Sequence, residues 1–187
     1  MPKLNFRDHG GARVQALSWG SKHIATGCSD GSVRLWDVEE RECVGQVALP
    51  GGLQEVVDLA WKDEHCFAVA AESCSIFLYD ARNLADGPVK TYPQHKASVK
   101  SVAFSAPGVF ADTQVLASGS DDCTVRLWES NATHDGEPSR HTDAATAVAW
   151  HPTEPRFFSV GWDRKLYSWA VSISEESAGK QFTVVPR

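Results

Sequence analysis

Three times along this chain a histidine, a hydroxyl residue, an aspartate and a tryptophan recur in the same order. The sets are His9, Thr26, Asp30 and Trp36; His95, Ser118, Asp122 and Trp128; and His141, Ser159, Asp163 and Trp169. Hydroxyl, imidazole and carboxylate are the parts of a nucleophile–base–orienter chain, so the first chemistry to weigh is hydrolysis. Recurrence argues against it. An active site is needed once, whereas this set comes three times with a tryptophan in a fixed place. Polar residues that repeat with the fold belong to its architecture.

The remaining chemistry-bearing residues form no site. His23, His65, His134 and His151 show no metal-ligand spacing, and Gly51-Gly52 is too little for a phosphate loop. The cysteines are Cys28, Cys43, Cys66, Cys74 and Cys123. Their number is odd and no two form a C-x-x-C pair, which speaks against a disulfide framework or a zinc site. Reduced thiols fit an intracellular protein of the cytoplasm or nucleus. No metal and no cofactor is expected. A net charge of −6 argues against nucleic acid and anionic membrane surfaces as partners. No apolar run is long enough to span a bilayer. At 42% hydrophobic and 22% charged residues, the chain should be globular.

The elements that must position the polar sets are legible as repeats. Residues 29–37, SDGSVRLWD, return almost unchanged as residues 121–129, DDCTVRLWE. Weaker copies lie at 73–80 and 163–169, so the matching aromatics are Trp36, Tyr79, Trp128 and Trp169. Steps of about 40 to 50 residues are a propeller period. Each repeat reads as short alternating strands joined by tight turns. The first repeat predicts strands over 14–19, 23–26, 33–36 and 43–49; the second over 56–61, 66–70 and 75–79. The third predicts 98–104, 115–118 and 125–128, and the fourth 146–150, 156–159 and 165–169. Loops 106–113 and 131–140 should face solvent. The repeats divide at about 9–49, 50–93, 94–138 and 139–172, and 173–187 reads as a polar tail with an outer strand at 181–185.

Nearly the whole chain resembles the WD40-repeat family of β-propellers. The fold class is therefore all-β, a propeller with four recognisable blades. In that family a histidine ahead of strand a pairs with groups on strands b and c. Carried over, the resemblance gives the three polar sets a structural role. The indole N–H donates to the hydroxyl oxygen, the hydroxyl donates to histidine, and histidine donates to aspartate. The second repeat departs, with Gly52, Val69, Ser73 and Tyr79 at those places. Its blade should rely on apolar packing.

The resemblance implies an interaction scaffold rather than an enzyme, with other proteins as partners. Function then sits on loops at the two faces. On the face of the polar sets, Arg13, Trp162 and Arg164 are candidate contacts, because tryptophan and arginine dominate protein interfaces. On the opposite face, Tyr79-Asp80-Ala81-Arg82 resembles the W-D-x-R box with which family members dock onto the damage-binding adaptor of cullin-type ubiquitin ligases. Asp80 and Arg82 match that box, and Tyr79 replaces its tryptophan. The order of the degenerate second repeat is similar to that of such substrate receptors. The run Val160-Gly161-Trp162-Asp163 also resembles the WD-repeat partner of arginine methyltransferase complexes, which leaves a subunit of a methyltransferase or RNA-processing assembly as the alternative. A propeller enzyme would need ionisable residues on the inner strands. Val14, Ala16, Leu17, Val99, Val102, Ala103, Val148 and Ala149 stand there instead and read as packing.

Family propellers usually have seven blades, and closed rings have four to eight. Four repeats leave three arrangements open. The chain is a piece of a seven-bladed protein; its ring is completed by a second copy or another chain; or it closes on itself with residues 3–6 paired to the last blade.

Overall fold

The computed structural model describes residues 9–52, 54–111, 113–128, 141–176 and 179–186. They contain four antiparallel sheets and, among the described residues, no α-helix. The first sheet is β1 (Val14–Trp19), β2 (His23–Cys28), β3 (Ser32–Asp37) and β4 (Glu42–Ala48), paired in that order. The second is β5 (Val56–Trp61), β6 (Cys66–Ala71), β7 (Ile76–Asp80) and β8 (Lys90–Tyr92), with a 3-10 turn at Leu84–Asp86 before β8. The third is β9 (Val99–Phe104), β10 (Leu116–Ser120) and β11 (Val125–Trp128). The fourth is β12 (Ala145–Trp150), β13 (Arg156–Gly161), β14 (Leu166–Glu176) and β15 (Gly179–Pro186).

The repeats recur in backbone detail. The second and third strands of each sheet meet at a turn whose last residue has positive φ: Gly31 (78°), Cys74 (66°), Cys123 (67°) and Arg164 (63°). Strands β1, β5 and β12 each bulge one residue after their start, opposite Cys28, Ala71 and Gly161. The extra residue lets the strand turn its polar end toward the loop while its remainder keeps the apolar register.

Two compact units divide the chain, Met1–Gln94 and His95–Arg187. In the first, Ala25, Val33 and Leu35 of sheet one pack against Val56, Leu59, Phe67 and Val69 of sheet two. Gly27 faces Val56 so closely that a Cβ there would overlap the valine side chain. In the second, Ala117, Val125 and Leu127 of sheet three pack against Ala145, Val148, Phe157 and Trp169 of sheet four. Gly119 sits at the place of Gly27, and a Cβ on it would lie 3.0 Å from the Ala145 carbonyl oxygen. One polar bond also recurs between sheets. Trp61 donates its indole N–H to the Ser18 carbonyl at 3.1 Å, and Trp150 donates to the Ala103 carbonyl at 3.0 Å.

Three sequence expectations are corrected. The fourth sheet does not stop at 172: β14 runs on to Glu176, and β15 pairs with it from Glu176↔Gly179 to Trp169↔Pro186. Residues 173–176 and 179–186 thus belong to that sheet, and the outer strand expected at 181–185 lies within β15. β15 also fills the edge beside β14 that residues 3–6 were expected to take in a self-closed ring; those residues lie outside the described ones. The loop 106–113 is not simply a solvated excursion. It forms bridges Gly108↔Ala111 and Phe110↔Thr113, and Phe110 stands edge-on to Trp150 at 5.5 Å. The predicted loop 131–140 lies outside the described residues.

Candidate functional site

The polar sets come together as buried relays in the second unit. In sheet three, Trp128 Nε1 donates to Ser118 Oγ at 2.8 Å, and Ser118 Oγ lies 2.7 Å from His95 Nε2. His95 Nδ1 lies 2.9 Å from Asp122, which also accepts the Lys96 backbone N–H and the Thr124 hydroxyl. Sheet four repeats this with Trp169 to Ser159 at 2.9 Å, Ser159 to His141 at 2.8 Å and His141 to Asp163 at 3.0 Å. Both imidazoles are fully buried. The bonding requires the tautomer with hydrogen on Nδ1, so the hydroxyl donates to Nε2. Each serine oxygen already accepts an indole N–H and is closed to solvent. A carbonyl substrate cannot reach it, so the relay cannot serve as a nucleophile. Its work is to satisfy every polar group it buries.

Burial alone would raise the Asp122 carboxyl, but the bonds from Thr124, Lys96 and His95 outweigh it and hold its pKa at about 2. Asp163 is lowered for the same reasons: burial opposes, while His141 and the Thr142 and Lys165 N–H groups prevail.

The first sheet holds a looser version. His9 Nε2 lies 3.2 Å from Thr26 Oγ1, Trp36 donates to that oxygen at 2.8 Å, and the His9 and Trp36 rings are 4.9 Å apart. Asp30 is exposed and accepts both the N–H and the hydroxyl of Ser32. The Arg34 guanidinium bonds that same hydroxyl and the Cys28 sulfur. Sequence reasoning missed this buried arginine. The signal was present, since Arg34 and Arg126 alternate in register with Trp36 and Trp128.

The second sheet has Val69 in place of the hydroxyl, and Tyr79 is fully buried, stacked on Phe67 at 5.8 Å and 20°. Tyr79 is therefore corrected as a partner contact: its ring is core. Among the described residues its hydroxyl has no partner, and burial pushes its pKa up to about 12. A buried hydroxyl without a bond costs stability. Tyr79→Phe should stabilise the first unit by about 1 kcal/mol, read as a shift of the urea midpoint; a loss of stability would mean that the hydroxyl is bonded.

Among the described residues, the turn after β7 carries the one arginine fork at the end of a third strand. Arg82 donates Nε to Asp80 Oδ1 at 2.9 Å and Nη2 to Oδ2 at 2.6 Å, and its backbone N–H also reaches Oδ1 at 2.9 Å. The Arg82 side chain is 61% exposed and that of Asp80 14%. The Arg82 bond holds the Asp80 pKa at about 2, so the carboxylate stays charged and the fork stays fixed. Nη1 takes no partner among the described residues. In sheet one, Asp37 closes the same turn by accepting the Glu39 and Glu40 N–H groups, but Glu39 stands where Arg82 would be.

The other candidates are on the surface. Trp162 is 69% exposed, and Arg164 is exposed in its positive-φ turn position. Arg13 is tied to Glu55 at 3.3 Å, an acceptor it shares with Gln15. Within the first unit the structure does not bring Arg13 and Arg82 together: Arg13 precedes β1 beside the β2–β3 turn, and Arg82 follows the far end of β7. None of the described residues forms a group of three or more metal-ligating side chains.

Comparison with known proteins agrees with this arrangement. A model of the family described as "WD domain, G-beta repeat" matches residues 1–37, 86–129 and 136–170. The chain is 28% identical over 165 residues to the anaphase-promoting complex subunit cdc20 of Dictyostelium discoideum, covering 83% of this chain and 31% of that protein. It is 26% identical over 151 residues to the methylosome protein WDR77 of Xenopus laevis, covering 79% and 44%. It thus spans less than half the length of the curated relatives it matches. Among solved structures, U3-55K superposes with a TM-score of 0.75 at 21% identity, over 96% of this chain and 53% of that one.

Proposed function

The chain belongs to the WD40 repeat family, and from that premise we propose that it is a non-enzymatic protein-interaction module, a subunit of a larger assembly. Two relatives are themselves named as members of assemblies, the anaphase-promoting complex and the methylosome. The burial of all the relay hydroxyls supports the non-enzymatic reading, because it leaves the polar sets without a reachable nucleophile.

The specific reading is substrate recognition for a cullin-type ubiquitin ligase, with Arg82 held by Asp80 as the contact to the adaptor. The observation that carries it is the fork itself. Asp80 fixes the guanidinium from two of its nitrogens while most of the side chain stays in solvent. Such a preset donor meets a carboxylate or backbone carbonyls at little entropic cost. Pull-down of the purified adaptor by wild type, Arg82→Ala and Arg82→Lys tests it. We expect about tenfold less adaptor with either variant, since lysine cannot reproduce the fork. Equal recovery by all three would remove Arg82 from the contact.

The alternative, a subunit of a methyltransferase assembly, is favoured by the likeness to the methylosome protein. There the exposed Trp162, flanked by Arg164, would be the anchor. Loss of a co-purifying methyltransferase in Trp162→Ala, with adaptor recovery unchanged, would select that reading.

A further inference from the structure

The bond that joins neighbouring sheets has a third donor position. Trp19 ends β1 as Trp61 ends β5 and Trp150 ends β12. Trp61 and Trp150 donate to the carbonyl of the residue one before the end of the neighbouring sheet's first strand, Ser18 and Ala103. Trp19 is 66% exposed instead. Its companions follow suit. Val14 is 45% and Leu17 62% exposed, whereas Val56 and Leu59 at those places in sheet two are 0% and 4% exposed. In sheet four the same places, Ala145 and Val148, are 0% and 7% exposed. Sheet one thus presents a donor face, built as the faces that sheets two and four use, that stays exposed among the described residues.

Sheet four presents the complementary kind of face. Leu166 is 65% exposed, while Val33 and Val125 at that place in sheets one and three are 0% exposed beneath the neighbouring sheet. Ala149 holds the place of Ser18 and Ala103, and it is exposed together with Ala147 and Val160. Exposed aliphatic patches of this kind mark interaction sites.

We propose that a second copy of this chain docks here, the β1 face of one copy on the β12–β13–β14 face of the other. Trp19 Nε1 donates to the Ala149 carbonyl, and Leu17 and Val14 cover Leu166 and Val160. The contact is heterologous, so each copy brings one donor and one acceptor face. It is weaker than the internal contacts for two reasons. Ser168 replaces the apolar Leu35 and Leu127, and Val160 stands where Gly27 and Gly119 allow the closest approach.

Sedimentation equilibrium over about a hundredfold range of concentration tests the proposal. The weight-average mass of the wild type should rise above the monomer. Leu17→Glu alone and Leu166→Glu alone should each remain monomeric, and both positions are exposed, so neither change disturbs folding. An equimolar mixture of the two variants should associate again, because each keeps the face the other has lost. Val160→Gly should lower the dissociation constant by at least threefold. A wild type that stays monomeric throughout would overturn the proposal, whether those faces stay open or another segment or partner covers them. Association that survives Leu17→Glu would overturn it, and so would a mixture that stays monomeric.

Discussion

His95→Ala should destabilise the second unit by about 3 kcal/mol, against near zero for His65→Ala on the surface. The imidazole joins two groups whose side chains are buried. Without it, Ser118 keeps the Trp128 N–H but loses the acceptor for its own hydrogen. Asp122 keeps the Thr124 and Lys96 donors but loses its imidazole while its side chain stays 95% buried. A buried carboxylate that has lost one of its donors is the costlier of the two. Packing adds a part, since the His95 and Trp128 rings meet edge-on at 5.8 Å. Urea denaturation of the two variants measures the difference. A cost below about 0.5 kcal/mol, the range of ordinary surface changes, would mean that the relay is not structural.

How much of this was legible in the sequence depends on what each feature rests upon. Strand positions follow from alternation along one chain, so sheets one to three lie close to the expected segments. The fourth sheet is longer, because β14 carries its alternation through Val171 and Ile173 into residues whose polarity reads as a tail. The relays were visible as recurring types at recurring offsets. The difference between them was not. Asp30, Asp122 and Asp163 look alike in sequence, and each caps its own turn by accepting an N–H two residues on. Only the path of the preceding chain decides which carboxylate is buried against its histidine. Tyr79 was misread because an aromatic in a degenerate motif looks like a contact, yet it occupies the core place of Trp36, Trp128 and Trp169. The Trp61 and Trp150 bonds left only a faint trace, a tryptophan ending the first strand in three of the four repeats. Their acceptors are carbonyls 43 and 47 residues away, which no side-chain pattern reports.

The same buried carboxylates should make the second unit acid-labile in a defined window. A carboxyl whose folded pKa lies below its unfolded value contributes stability that is complete above the unfolded value and is lost as pH falls through the folded one. For Asp122 that window runs from about 4 down to about 2. A depression of that size corresponds to about 2 kcal/mol at neutral pH, and Asp163 adds a contribution of the same sign. Asp30, which is exposed, and Asp80, whose partner Arg82 is exposed, are also lowered, but solvent screens such surface interactions and they add little. Unfolding free energy measured by urea at pH 7, 4, 3 and 2 should therefore be flat to about pH 4 and then fall. Asp122→Asn isolates the contribution. The variant should be less stable than wild type at pH 7, and the gap should close as the wild-type carboxyl takes up its proton. A gap that stays constant down to pH 2 would mean that Asp122 contributes through shape alone and that its charge does not hold the relay together.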